Sequence, residues 1–171
     1  MKIILYQPQI PQNTGTIVRT CSATNTSLVL VRPLGFSTAS RHLKRAGLDY
    51  WNDVEIIEID NLPDYLQEQG LPFFFFSSHA TKMYTEAEYS PNSQLIFGSE
   101  TSGLPKSYFE RWPECFFTIP MNSNARCLNL SNSANIVLYE ALRQTHFSDL
   151  KRANNNKESN PLVSTELAIG K

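Results

Sequence analysis

Short apolar runs recur along this chain, and each is cut off by proline, glycine or a polar segment. Lys2–Leu5 stops before Gln7-Pro8, Leu28–Val31 before Arg32-Pro33, Gln94–Phe97 before Gly98, and Cys115–Ile119 at Pro120. Runs this short, rich in β-branched and aromatic residues, suit strands. Val54–Ile59 and Phe73–Ser77 read the same way. Helical spacing fills the intervals. One helix is predicted from Asn13 to about Thr24, with Ile17, Val18 and Cys21 on its apolar side. A second runs from Ala39 to Ala46 behind a Thr38 cap, and a third from an Asn61 cap through Gln69 to a stop at Gly70. The clearest helix is the last. Leu130, Ala134, Val137, Leu138, Ala141 and Leu142 fall on one apolar stripe, and Asn132, Tyr139 and Arg143 lie opposite. Strands alternating with helices imply an α/β fold, an open and mostly parallel sheet with helices on both faces.

At 171 residues the chain is long enough for one domain with its own core. That domain is expected over 1–150. The stretch 151–171, which opens Lys-Arg-Ala-Asn-Asn-Asn-Lys-Glu, is polar and poor in core formers and reads as a loose tail. The longest apolar runs, such as Leu71–Phe76, are too short to span a bilayer, and the apolar start meets Gln7-Pro8 before a secretory signal can form. Cys21, Cys115 and Cys127 are odd in number and read as reduced thiols of a cytoplasmic protein. His42, His79 and His146 are scattered, so no metal site is expected.

The net charge of −1 hides an uneven distribution. Residues 1–48 carry six basic side chains and no acidic one, whereas residues 49–110 carry two basic and eleven acidic. Arg32, Arg41, Lys44 and Arg45 are candidates for a local phosphate-binding patch. A solvated surface with chance clustering explains the same residues.

Three polar clusters each follow a predicted strand, where open α/β sheets collect their ligands. In the first, Asn13-Thr14-Gly15 opens a helix whose free N–H groups suit an anion, and Arg19 lies one to two turns further on. The ordinary reading is a capped helix with an exposed arginine. The second is Gly98-Ser99-Glu100-Thr101-Ser102-Gly103-Leu104-Pro105, which is neither a P-loop nor a dinucleotide fingerprint. Its glycine at a strand end permits close approach of a ligand to the backbone. A plain Gly-rich turn is the alternative. The third runs from Ile119 to Asn132, dense in Asn and Ser, and enters the striped helix. Amides and hydroxyls there suit a polar, uncharged ligand edge, although Asn and Ser are common caps. Cys127 has no base placed beside it by sequence and reads as a structural thiol or one merely next to a ligand.

In this order the segments resemble the SPOUT methyltransferases, in particular the SpoU-type branch. Tyr6 to Cys21, Pro33-Leu34-Gly35-Phe36 and Leu43 to Tyr50 are similar to the minimal bacterial enzymes that methylate the wobble ribose of leucine tRNAs. The similarity spans roughly 1–147. It implies a tRNA (cytidine(34)/5-carboxymethylaminomethyluridine(34)-2′-O)-methyltransferase that uses S-adenosylmethionine and binds the anticodon stem-loop of tRNA. It also implies a homodimer and a C-terminal deep trefoil knot. Chains are as a rule unknotted, so the knot follows from the resemblance alone. By position, Phe76, Ser77, Gly98, Gly103, Ile119, Cys127 and Leu128 would surround the cofactor. Arg19, Glu100 and Asn129 would be the catalytic group. Ser131 and Tyr139 would meet the RNA, and Arg41, Lys44 and Arg45 its phosphates. Cys127 stands where close relatives carry serine.

A ribose 2′-hydroxyl is a weak nucleophile, and the sulfonium cofactor is itself a good methyl donor. The protein's task is alignment and stabilisation of the developing alkoxide. Arginine side chains keep their proton in proteins, so Arg19 suits a phosphate- and oxyanion-binding role better than that of a base. A ribosomal RNA 2′-O-methyltransferase and a catalytically silent RNA-binding module remain the alternatives. A nucleotide hydrolase is disfavoured, since neither a P-loop nor paired metal carboxylates appear.

Overall fold

In the computed structural model, residues 1–37, 50–148 and 150–151 are described. Their strands are β1 (Lys2–Tyr6), β2 (Ser27–Val31), β3 (Ile56–Ile59), β4 (Phe73–Phe76), β5 (Lys82–Met83), β6 (Gln94–Phe97) and β7 (Phe116–Thr118). The helices are α1 (Pro11–Thr24), α2 (Leu62–Gln69), α3 (Lys106–Arg111) and α4 (Leu130–Gln144). The strands form one sheet, ordered β3-β2-β1-β6-β4-β7-β5, and every pairing between these strands is parallel.

Parallel strands buried on both faces need apolar residues on both faces, and the alternation along each strand sorts them. Ile3, Leu5, Leu28, Leu30, Leu95 and Phe97 join one core with α1 and α4. Ile4, Val29, Val31 and Ile96 join the other with α2, while Tyr108 and Trp112 pack in from α3 and the residue after it. The four phenylalanines of β4 divide in the same way. Phe75 stacks on Phe116 with ring centroids 4.7 Å apart, and Phe76 stacks on Phe97 at 4.9 Å on the opposite face. Helices therefore cover both faces, as the alternation implies.

The apolar stripe of α4 is buried throughout, from Leu130 to Leu142, and packs beside Ile17, Val18 and Cys21 of α1. Asn61 caps α2 by accepting from Asp64 N, and Gly70 ends it in the left-handed region at φ 59°. The first helix departs from expectation. It starts at Pro11, not Asn13, because proline tolerates the first helical position, where an N–H has no helical partner. Asn13, Thr14 and Gly15 thus lie buried within its first turns. β5 and α3 were not anticipated. Two and six residues are too few to show a period. The predicted helix over Ala39–Ala46 and nearly all of the tail, 152–171, lie outside the described residues.

Candidate active site

A cleft of about 740 Å³ opens at the carboxyl ends of the neighbouring strands β6, β4 and β7. Three loops build it. Phe76 to His79 follow β4, Phe97 to Leu104 follow β6, and Thr118, Ile119, Met121 and Arg126 to Leu130 follow β7. Ile10 and Asn13 enter from the β1–α1 side. Phe76, Phe97, Ile119, Leu104 and Leu128 supply apolar surface, and hydroxyls, backbone groups, the Glu100 carboxylate, the Asn13 and Asn129 amides, His79 and the Arg126 guanidinium supply the polar part.

The loop after β6 is shaped by its two glycines. Ser99 N donates to Gly103 O at 3.1 Å and Gly103 N returns to Ser99 O at 2.9 Å, closing a tight turn. Gly103 sits at φ 65°, a conformation that favours glycine. A Cβ on Gly98 would lie 2.4 Å from the Gly103 carbonyl carbon, so this position admits no side chain. The close approach expected at Gly98 is made by the chain's own backbone.

Glu100 projects from that turn to the start of α1. Its carboxylate accepts from Gln9 N at 2.8 Å, Ile10 N at 3.3 Å and Asn13 Nδ2 at 2.9 Å. The N-cap Ile10 offers no side-chain cap, so Glu100 takes that part from another loop, at the end of the helix where negative charge is favoured. An anion was expected at this helix start, and the one found is internal. Asn13 continues the chain of contacts, accepting from Asn129 Nδ2 at 2.8 Å. Asn129 in turn caps α4, accepting from Ser131 N at 2.9 Å, Ser131 Oγ at 2.7 Å and Asn132 N at 3.3 Å. The relay Glu100–Asn13–Asn129–Ser131 thus fastens all three polar clusters together.

Nine of the expected residues line the cleft: Phe76, Ser77, Gly98, Glu100, Gly103, Ile119, Cys127, Leu128 and Asn129. Ser131 does not. It is buried, and its hydroxyl is spent on Asn129. Tyr139 is half exposed on the outer side of α4, away from the cleft lining. Arg19 is also outside the lining, exposed on α1, with its guanidinium 5.3 Å from the centre of the Tyr50 ring. Arg41, Lys44 and Arg45 lie outside the described residues. Asn13, which joins the loops after β6 and β7 to α1, and Arg126, the guanidinium of the cleft, fall within the first and third polar clusters of the sequence, which assign neither of them a role of its own. Only tertiary contacts distinguish them from other polar loop residues.

The thiols differ. Burial pushes Cys21 up to about 12, whereas Cys127 is exposed on the cleft wall. Cys115, partly covered, is raised by desolvation as well. Among the described residues no group of His, Cys, Asp or Glu is placed to hold a metal, and no helix is long and apolar enough to cross a membrane.

A parallel α/β sheet with a cleft of this size at its strand ends defines a protein that binds a small ligand between loops. Residues 1–139 match the SpoU rRNA Methylase family, and the chain belongs to that family. A Bacillus subtilis protein provisionally named tRNA (cytidine(34)-2′-O)-methyltransferase is 46% identical over 156 residues, covering 88% of this chain and 97% of that one. A solved structure concerned with 2-OH methylation of C/U34 on tRNA superposes with a TM-score of 0.80 at 40% identity. It covers 85% of this chain and 95% of its own. An AdoMet-bound rRNA methyltransferase from Sinorhizobium meliloti is 26% identical with a TM-score of 0.74, covering 83% of this chain and 55% of that one.

Proposed function

We propose that this chain is an S-adenosylmethionine-dependent 2′-O-methyltransferase acting on nucleotide 34 of tRNA. The observation that carries the reading is the cleft, in which the three polar clusters converge and are locked to α1 through Glu100, Asn13 and Asn129. Its volume lies in the range of small-molecule sites, and its mix of apolar walls with backbone and hydroxyl groups suits an adenosyl ligand. The family supports methyl transfer to RNA, and the relatives whose names specify cytidine 34 or C/U34 of tRNA support this substrate.

When bound, the cofactor supplies an activated methyl group. Phe76, Ser77, Gly98, Gly103, Ile119, Cys127 and Leu128 would hold it. Glu100 and Asn129 are read as positioning groups, because their polar atoms are committed to the relay. Arg19 remains the group for the acceptor ribose and its phosphate, since a guanidinium offers several donors and a permanent charge. Ser131 and Tyr139 belong to the substrate side, Ser131 indirectly, and Arg41, Lys44 and Arg45 are read as phosphate contacts. The reading includes the knotted C-terminal segment and a location with tRNA in the cytoplasm.

The proposed assembly is a homodimer with the site near the interface, and Arg19 stands apart from the cleft lining of its own chain. Ile136 and Tyr139 are exposed on α4. Such a surface suits a second copy. A clean monomer at micromolar concentration with full activity would remove the dimer from the account.

Labelled S-adenosylmethionine, purified protein, and total tRNA or ribosomal RNA from a strain lacking the gene test the activity. Label in tRNA that maps to the ribose of nucleotide 34 is expected. Label in ribosomal RNA alone, or in neither, would overturn the reading.

A further inference from the structure

Arg19 lies on the exposed side of α1, while Val18 and Cys21 beside it are fully buried. The helix backbone beneath it is therefore fixed, but the guanidinium stands at the end of a long side chain with many rotamers. Among the described residues it meets no carboxylate; its contact is the ring of Tyr50, with the guanidinium carbon 5.3 Å from the ring centre. That ring is anchored in turn. Tyr50 opens a short 3-10 turn, Trp51–Asp53, and its carbonyl accepts from Asp53 N at 3.1 Å. Both Tyr50 and Trp51 pack against the core that contains α1.

We propose that Tyr50 is a positioning residue for Arg19, holding the guanidinium over its ring so that the charge and the N–H donors stay available for the acceptor nucleotide. The inference rests on the reading of Arg19 given above. A carboxylate partner would orient the same side chain at the cost of neutralising it and occupying its donors. An aromatic face attracts the cation through its quadrupole and leaves the N–H groups at the rim of the guanidinium free. The contact limits the rotamers that must be lost when RNA binds, and so favours the aligned complex.

The test compares Tyr50→Phe, Tyr50→Leu and a variant with pentafluorophenylalanine at this position, each assayed for methyl transfer to tRNA and for S-adenosylmethionine binding. Tyr50→Phe keeps the aromatic face and should stay within about 2-fold of wild type. Tyr50→Leu should lower kcat by about 3- to 30-fold, the range expected from loss of one such contact, with unchanged cofactor affinity. Pentafluorophenylalanine keeps the shape and reverses the quadrupole, so it should lose rate like Leu even if Tyr50→Leu folds poorly. In an Arg19→Ala background, Tyr50→Leu should cause no further loss, because the group it positions is gone. Wild-type rates in both the Leu and fluorinated variants, or an equal loss with and without Arg19, would overturn the inference. If Arg19→Ala alone is fully active, the role of Arg19 fails instead, and the two failures are told apart in one experiment.

Discussion

Glu100 and Asn13 show how a polar residue in a cleft can act without touching the chemistry. The Glu100 carboxylate serves two backbone N–H groups and one amide, and Asn13, only 6% exposed, passes the connection on to Asn129. Asn13→Asp removes the donor and sets a second carboxylate against Glu100. It should destabilise the fold by about 1–3 kcal/mol at neutral pH, more than Asn13→Ala does. Protonation of the introduced carboxyl relieves that repulsion. The stability gap to wild type, measured by urea denaturation, should narrow as the pH falls below about 5. A gap independent of pH would mean that the two groups do not face each other. The cysteines give a second check at this scale. At neutral pH a thiol reagent should modify exposed Cys127 fast and leave Cys21 intact until unfolding, since burial holds Cys21 in the thiol form. S-adenosylmethionine should protect Cys127, and mass spectrometry of the labelled peptides reads both effects. Equal labelling with and without cofactor would take Cys127 off the cofactor's wall.

α4 is the element most fully legible in the sequence, and its end offers a test of pH dependence. Glu140 accepts from Arg143 Nε and Nη2, each at 2.8 Å, and from Gln144 Nε2 at 2.9 Å. Hydrogen bonds from the Arg143 guanidinium hold the Glu140 carboxyl below the usual carboxylate range. A carboxyl lowered in the folded state stabilises it above the unfolded pKa, near 4.3, and this gain disappears as the pH falls through the folded value. Glu140→Gln should therefore cost a few tenths to about 1 kcal/mol at pH 7, with the difference vanishing in acid. An equal difference at pH 7 and pH 3 would contradict the ion-pair origin. The stripe of α4, the Asn61 cap and the Gly70 stop were readable because each is a local pattern with a local cause. The start of α1 was misplaced by two residues. Pro11 at the first helical position is a local signal for that start, whereas the cap, Glu100, lies 90 residues from Ile10 in the chain and no local rule finds it. β5 and α3 lack the length to carry a period at all.

At the scale of the whole molecule, the parallel α/β class followed from the alternation of strands and helices, but the order β3-β2-β1-β6-β4-β7-β5 did not. Which strand lies beside which is decided by packing between distant segments, as in the stacked Phe76 and Phe97. The site was legible in part for a physical reason. Ligand loops follow strand ends, so the clusters after β1, β6 and β7 lie at the same end of one parallel sheet and meet there. How they meet, through Asn13 and with Arg19 outside the lining, depends on side-chain geometry that spacing does not encode. The central claim is a division of labour between the cleft, which holds the methyl donor, and Arg19, which serves the acceptor. Calorimetric titration of S-adenosylmethionine into Arg19→Ala, paired with single-turnover methylation of tRNA by the same preparation, tests that division directly. Cofactor affinity should stay within about 3-fold of wild type, while methyl transfer falls by about 10²- to 10³-fold, as for loss of one electrostatic transition-state contact. Normal turnover, or collapse of cofactor binding, would contradict the account.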